Sequence, residues 1–135
     1  MTVKLEDIYE TIMMTDQDSK YFLDKETGEI ELLNEMIMSS EEYQELCDRL
    51  DEHGFYRLPT QYEIRDYDIM EAFAYTLSGT DKQKLLNALQ GRGAFRRFKD
   101  TVNYLSLSER WYSFQDKAYM KMAAEWCEEN DIDYI

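Results

Sequence analysis

Apolar residues recur along this chain mostly at helical spacing, interrupted near the start by strand-like alternation. Val3, Ile8 and Ile12, with Leu5 and Tyr9, fall at spacings of three to five and predict a helix over 3–14. Tyr21 to Asp24 and Glu29 to Leu33 then flank Lys25-Glu-Thr-Gly28. Aromatic and branched residues on both sides of a loop closing on glycine predict an antiparallel hairpin, with Gly28 at positive φ. Ile30 and Leu32 alternate with Glu29 and Glu31, so one face of the second strand is expected to be buried.

Helical periodicity resumes at Ser39-Ser-Glu-Glu42, a capping box, and runs to His53-Gly54 with Tyr43, Leu46, Cys47 and Leu50 inward. Phe55 to Leu58 has the length of a short strand, ended by Pro59. Thr60-Gln-Tyr-Glu63 is a second capping box, opening a helix to about Leu77 that buries Ile69, Met70, Phe73, Ala74 and Leu77. Thr80 caps a helix carrying Leu85, Leu86 and Leu89, which Gly91 stops. Gly93 permits a tight turn into the next, where Phe95, Phe98, Val102 and Leu105 form the expected inward stripe. A last long helix, about 108–130, places Trp111, Tyr119, Met122 and Trp126 on one side. The expected fold is α+β: a helix-dominated single domain over 1–135, with about six helical segments and one N-terminal antiparallel β-hairpin.

Composition narrows the class. Eleven Tyr, six Phe and two Trp set this acidic chain apart from disordered acidic sequences, which are poor in aromatics. No apolar run approaches the roughly 20 residues of a membrane span. Glu6, Asp7 and Glu10 stand where a secretory signal would be basic and then apolar, so the expected setting is cytoplasmic. Cys47 and Cys127 lie far apart inside helical patterns and read as small buried hydrophobes.

Charge changes the picture most. Lys and Arg number 15 against 29 Asp and Glu, a net −14 that disfavours nucleic acid and anionic membranes as partners. Residues 1–54 alone hold 16 acids and four bases, while residues 91–110 hold five bases and two acids. That basic island is the leading candidate site. Gly91 and Gly93 would let backbone N–H groups approach an anion at a helix start, with Arg92, Arg96, Arg97 and Lys99 supplying charge. The spacing fits neither a P-loop nor a dinucleotide fingerprint. Equally, the glycines merely join two helices and the arginines pair with the chain's own carboxylates. Phe95 and Phe98, if inward, are unavailable to stack on bases. Trp111, Tyr112 and Phe114 form a second candidate, an aromatic recognition patch whose plainer reading is interhelix packing.

No arrangement specifies a reaction. The single histidine, His53, sits at a helix end, where a cation favours the dipole. No spacing of ligands suits zinc, no EF-hand is in register, and no cofactor is indicated.

Six segments taken together resemble a known family. Tyr21-Phe-Leu-Asp-Lys-Glu-Thr-Gly-Glu-Ile30, Tyr56-Arg-Leu-Pro59, Asp68-Ile-Met-Glu-Ala-Phe73, Gly91-Arg-Gly-Ala-Phe-Arg-Arg-Phe-Lys-Asp100, Trp111-Tyr112 and Glu125-Trp126 run in one order over most of the chain. In this the chain is similar to Uncharacterised Protein Family 0158, a group of small bacterial proteins. The family often has Gly before the final Ile, where this chain has Asp131 before Ile132. The resemblance implies a bacterial cytoplasmic setting and carries over no catalytic residue.

The functional expectation is therefore a non-enzymatic binding or adaptor domain. It would hold an anionic group on a partner protein, or an anionic small molecule, through the basic segment 91–99. Two alternatives stand beside it: an enzyme clamping a small anionic substrate with the same arginines, and an acidic mimic of nucleic acid built on residues 1–54. Glu29 to Leu33, short of neighbouring strands, leaves room for a homo-oligomer.

Overall fold

The structure is a computed structural model and describes residues 1–135. In chain order it comprises β1 (Thr2–Val3), α1 (Leu5–Met14), β2 (Lys20–Asp24), β3 (Ile30–Leu33), α2 (Ser40–His53), β4 (Phe55–Arg57) and α3 (Gln61–Ile64). There follow α4 (Asp66–Tyr75), α5 (Gly79–Ala88), α6 (Ala94–Tyr104), α7 (Ser108–Glu129) and β5 (Asp133–Tyr134). Helices dominate and the sheets are small, so the class is α+β. The chain divides into two compact units, Met1–Ile64 with Tyr119–Ile135, and Arg65–Ala118.

The first unit is built on a three-stranded sheet of order β3-β2-β4, antiparallel throughout. Antiparallel pairing thus belongs to this sheet rather than to an isolated N-terminal hairpin. The strand at the N-terminus itself, β1, pairs in parallel with β5. Phe22 faces Leu46 and Leu50 of α2, with Leu33 and Met38 packed around them. Helix α2 starts where the pattern placed it: Ser39 accepts from the Glu42 N–H and Glu42 returns a bond to the Ser39 N–H. Of its expected stripe, Leu46 and Leu50 are buried, whereas Tyr43 and Cys47 are half-buried.

The second unit packs Met70, Phe73, Ala74, Leu85, Leu89, Phe98, Val102, Leu107 and Trp111 into one core. The helix expected from Thr60 to Leu77 is broken at Arg65, which adopts φ 57°, leaving α3 and α4. No polar spacing in the sequence marks that break. Helix α5 begins at Gly79 rather than Thr80, and Ser78 precedes it without a side-chain cap.

Two helices end in the same way. After α6, Ser106 takes φ 58°, its N–H bonds the Asn103 carbonyl, and the Leu107 N–H reaches back to the Val102 carbonyl at 2.9 Å. After α7, Asp131 takes φ 56°, its N–H bonds the Glu128 carbonyl, and the Ile132 N–H reaches Cys127 at 2.8 Å. The residue after each left-handed position, Leu107 or Ile132, is buried, which anchors the turn. The turn that commonly takes glycine thus forms here on Asp131. A side chain at positive φ carries steric strain that glycine lacks. Ser106→Gly and Asp131→Gly should each raise stability by about 0.5–1 kcal/mol, partly offset by the looser unfolded chain. Urea denaturation of the single variants checks this; a loss of stability would show that these side chains make contacts outweighing the strain.

Candidate functional site

Segment 91–99 lies at the corner where α5 ends and α6 begins. Gly91 and Gly93 have φ 71° and 74°, conformations that a side chain rarely adopts. Gly93 is the N-cap of α6, with no side-chain cap, and the helix has no acid in its first turn. Its N-terminal N–H groups and partial positive charge therefore face no carboxylate of the same turn.

The arginines separate into two kinds. Arg97 turns back into the corner: Nε donates to the Ala88 carbonyl at 3.1 Å, Nη1 to Arg92, and Nη2 to Gln90 and, at 3.5 Å, to Gly91. One guanidinium thus satisfies the carbonyls at the exit of α5, the groups a helix end leaves without partners. A Cβ on Gly93 would come within 3.2 Å of Arg97 Nη1, so the glycine makes room for this plug as well as for the turn. Arg92, Arg96 and Lys99 are exposed and take part in no salt bridge.

Phe98 is buried in the core as expected, but Phe95 is not. Phe95 is 46% exposed, because the first turn of α6 projects past the core that Phe98 and Val102 fill. Its ring lines an open cleft of about 660 Å³ with Tyr67, Leu89, Gln90, Ala94 and Arg96. The argument that rings here cannot stack on a ligand therefore holds for Phe98 and fails for Phe95.

The second candidate splits. Trp111 is core, edge-on to Phe98 at 5.0 Å and to Phe73 at 5.4 Å. Its buried Nε1 has no hydrogen-bond acceptor. Phe114 is half-buried against the Phe73 ring, and Tyr112 is exposed. They form no common surface patch.

Pattern reading missed three polar clusters of the first unit. Asp24 is wholly buried; its Oδ1 accepts the Glu26 and Thr27 N–H groups and its Oδ2 lies 3.3 Å from His53 Nδ1. Burial pushes this carboxyl up, but the two backbone bonds and His53 outweigh it and hold it below the usual range. His53 Nε2 is 3.2 Å from Glu26, so the ring ties the end of α2 to the β2–β3 turn. Arg57 grips Glu63 at 2.6 and 3.4 Å, and Glu63 also accepts from the Thr60 N–H and hydroxyl. Finally, the Trp126 Nε1 donates to the Arg57 carbonyl at 2.9 Å. Only the Glu63 cluster had a trace in the pattern, as the second capping box. The others join residues that are remote in sequence.

The Arg57 guanidinium, with the Thr60 bonds, lowers the Glu63 pKa from the usual 4.5 to about 2. A depressed carboxyl contributes stability that is complete above its unfolded value and is lost as pH falls through the folded one. The Glu63 contribution should therefore decline from about pH 4.5 to about 2, and, with both side chains near half exposed, shrink in salt. Glu63→Gln should flatten that part of the acid-unfolding curve. An unchanged profile would show that the Arg57 pair adds nothing to folding.

The displaced carboxyls, Asp24 and Glu63, belong to the first unit, whereas the basic corner belongs to the second. What the corner offers is surface cations, a capless helix start and an exposed ring in an α+β protein. The profile of Uncharacterised protein family UPF0158 matches residues 1–135, and the chain belongs to that family. A 49-residue stretch is 41% identical to the UPF0158 protein PA5073 of Pseudomonas aeruginosa, covering 36% of this chain and 32% of that protein. No solved structure matches the chain. No helix is long and apolar enough to cross a membrane.

Arg97→Met should cost about 1.5 kcal/mol, the low end for hydrogen bonds to a charged group, since Arg97 is itself exposed and only its bond to Ala88 is part-buried. Arg96→Met should stay within about 0.5 kcal/mol of wild type. Equal effects in chemical denaturation would refute the division into plug and surface cations.

Proposed function

We propose that this protein is a non-enzymatic binding domain that holds an anionic group of a partner at the α5–α6 corner. The observation that carries this reading is how charge divides between the two units. Residues 65–118 hold nine bases and seven acids, a net +2, while the other unit holds six and 22, a net −16. Within the positive unit, Arg92, Arg96 and Lys99 are exposed around the start of α6. Gly91 and Gly93 shape the approach, Arg97 fixes the loop, and Phe95 with Tyr67 supplies flat apolar surface beside the charge. Cations next to exposed rings suit a phosphorylated or carboxylate-rich protein segment. A clamp in an enzyme would need a proton-transfer group beside the arginines; the two carboxyls held below their usual range, Asp24 and Glu63, belong to the other unit.

The test is capture from bacterial lysate by wild type and by Arg92→Glu/Arg96→Glu, after circular dichroism has shown that the variant folds. A protein partner retained by wild type, lost by the variant and weakened by salt is the expected result. Identical captured profiles would remove the corner as a binding site. Loss on nuclease treatment would reassign its occupant to nucleic acid.

A further inference from the structure

The sheet of the first unit has two edges, and at one of them a side chain, Trp126, meets the outward backbone. In an antiparallel ladder, alternate residues turn their N–H and C=O groups toward one neighbour and then the other. Asp24 N–H bonds the Glu29 carbonyl, so Lys20, Phe22 and Asp24 serve β3, opposite Leu33, Glu31 and Glu29. Lys25 N–H bonds Gly54, and Leu58 N–H bonds Tyr21, so Tyr21 and Leu23 serve the β4 side. The same parity turns the backbone of Phe55 and Arg57 outward from β4, and Trp126 meets it there at the Arg57 carbonyl. On the opposite edge, parity turns the N–H and C=O of Ile30 and Leu32 outward, and no strand pairs with them.

Beside that edge runs a groove of about 650 Å³ between α1 and β3. Asp7, Glu10 and Met14 present one stripe of α1 to it, and Tyr21, Leu23 and Ile30 line it from the sheet, whereas Glu29 and Glu31 alternate onto the α2 face with Phe22. Glu31 is neutralised by Arg49 at 2.9 Å. Asp7, Glu10 and Glu29 are in no salt bridge, and Lys4 is the one cation of the lining. The unit around them carries −16.

We infer that the β3 edge accepts an extended, lysine- or arginine-rich peptide segment as a fourth strand. The Ile30 and Leu32 backbone supplies the hydrogen bonds, and Asp7 and Glu10 in the groove, with Glu29 on the other face of the edge, meet the cationic side chains. Charge selects this occupant over a second copy of the chain. A second copy would set one unit of −16 against another across the pair, and like charges repel. This surface is distinct from the α5–α6 corner, and the two take partners of opposite sign.

The probe is an acetylated peptide alternating lysine and valine, titrated by fluorescence anisotropy against the whole protein, with amide exchange followed by NMR. Binding should slow exchange at Ile30 and Leu32 and leave Arg92→Glu/Arg96→Glu unaffected. Methylating alternate peptide nitrogens, or replacing the lysines by glutamate, should weaken binding by roughly tenfold or more. Glu10→Lys/Glu29→Lys, at two exposed positions, should do the same while the protein stays folded. Equal binding of the methylated peptide would reduce the effect to loose charge attraction and overturn the proposal. So would absence of binding, or protection at Phe55 and Arg57 instead. A peptide-free dimer already protecting Ile30 and Leu32 would hand the edge to a second copy.

Discussion

The bond from the Trp126 indole to the Arg57 carbonyl is the constraint on which the first unit turns. A strand edge carries backbone groups that must find a partner or face water. Trp126, 6% exposed and drawn from the far end of the sequence, meets the β4 edge at the Arg57 carbonyl. Arg57 is held twice, by its carbonyl and, through Glu63, by its guanidinium, and so sets the path of the chain from β4 into α3.

Arg97 plays the corresponding part in the second unit. A helix leaves its last carbonyls without internal partners, and α5 meets this with a side chain from the next helix, beside the Gln90 amide on the Leu86 carbonyl. The arrangement spends one of the four cations in segment 92–99 on architecture. Arg92, Arg96 and Lys99 are left on the surface, and the glycines on either side of Arg92 give the loop the shape the guanidinium needs. A structural arginine and surface cations are thus interleaved in one short string, which is why a reading of the string alone held both interpretations open.

Much of the fold was legible because its signals are local. The capping box at Ser39, the loop closing on Gly28 and the Phe98–Val102 stripe each depend on residues within a turn or two of one another. The failures have a common cause in tertiary context. Phe95 has the right spacing to be buried, yet the core ends before its turn does. Arg65 breaks a continuous helical pattern through backbone geometry that no side-chain period announces. Asp24, His53 and Trp126 find partners 29 and 69 residues away, beyond the reach of periodicity. Charge was legible in amount and in its concentration near the start of the chain. Its division into −16 and +2 needed the boundaries of the two units.

The central claim is that the exposed cations at the start of α6 form an anion-binding surface while Arg97 does not take part. NMR titration of the whole protein with inorganic pyrophosphate tests it most directly, because backbone amides and arginine Nε–H groups report separately. The account predicts shifts at the amides of Ala94 to Arg96 and at the Arg92 and Arg96 Nε–H signals, with Arg97 Nε–H unmoved and slow to exchange. Shifts confined to Arg97, or spread evenly over the lysines and arginines of both units, would contradict it.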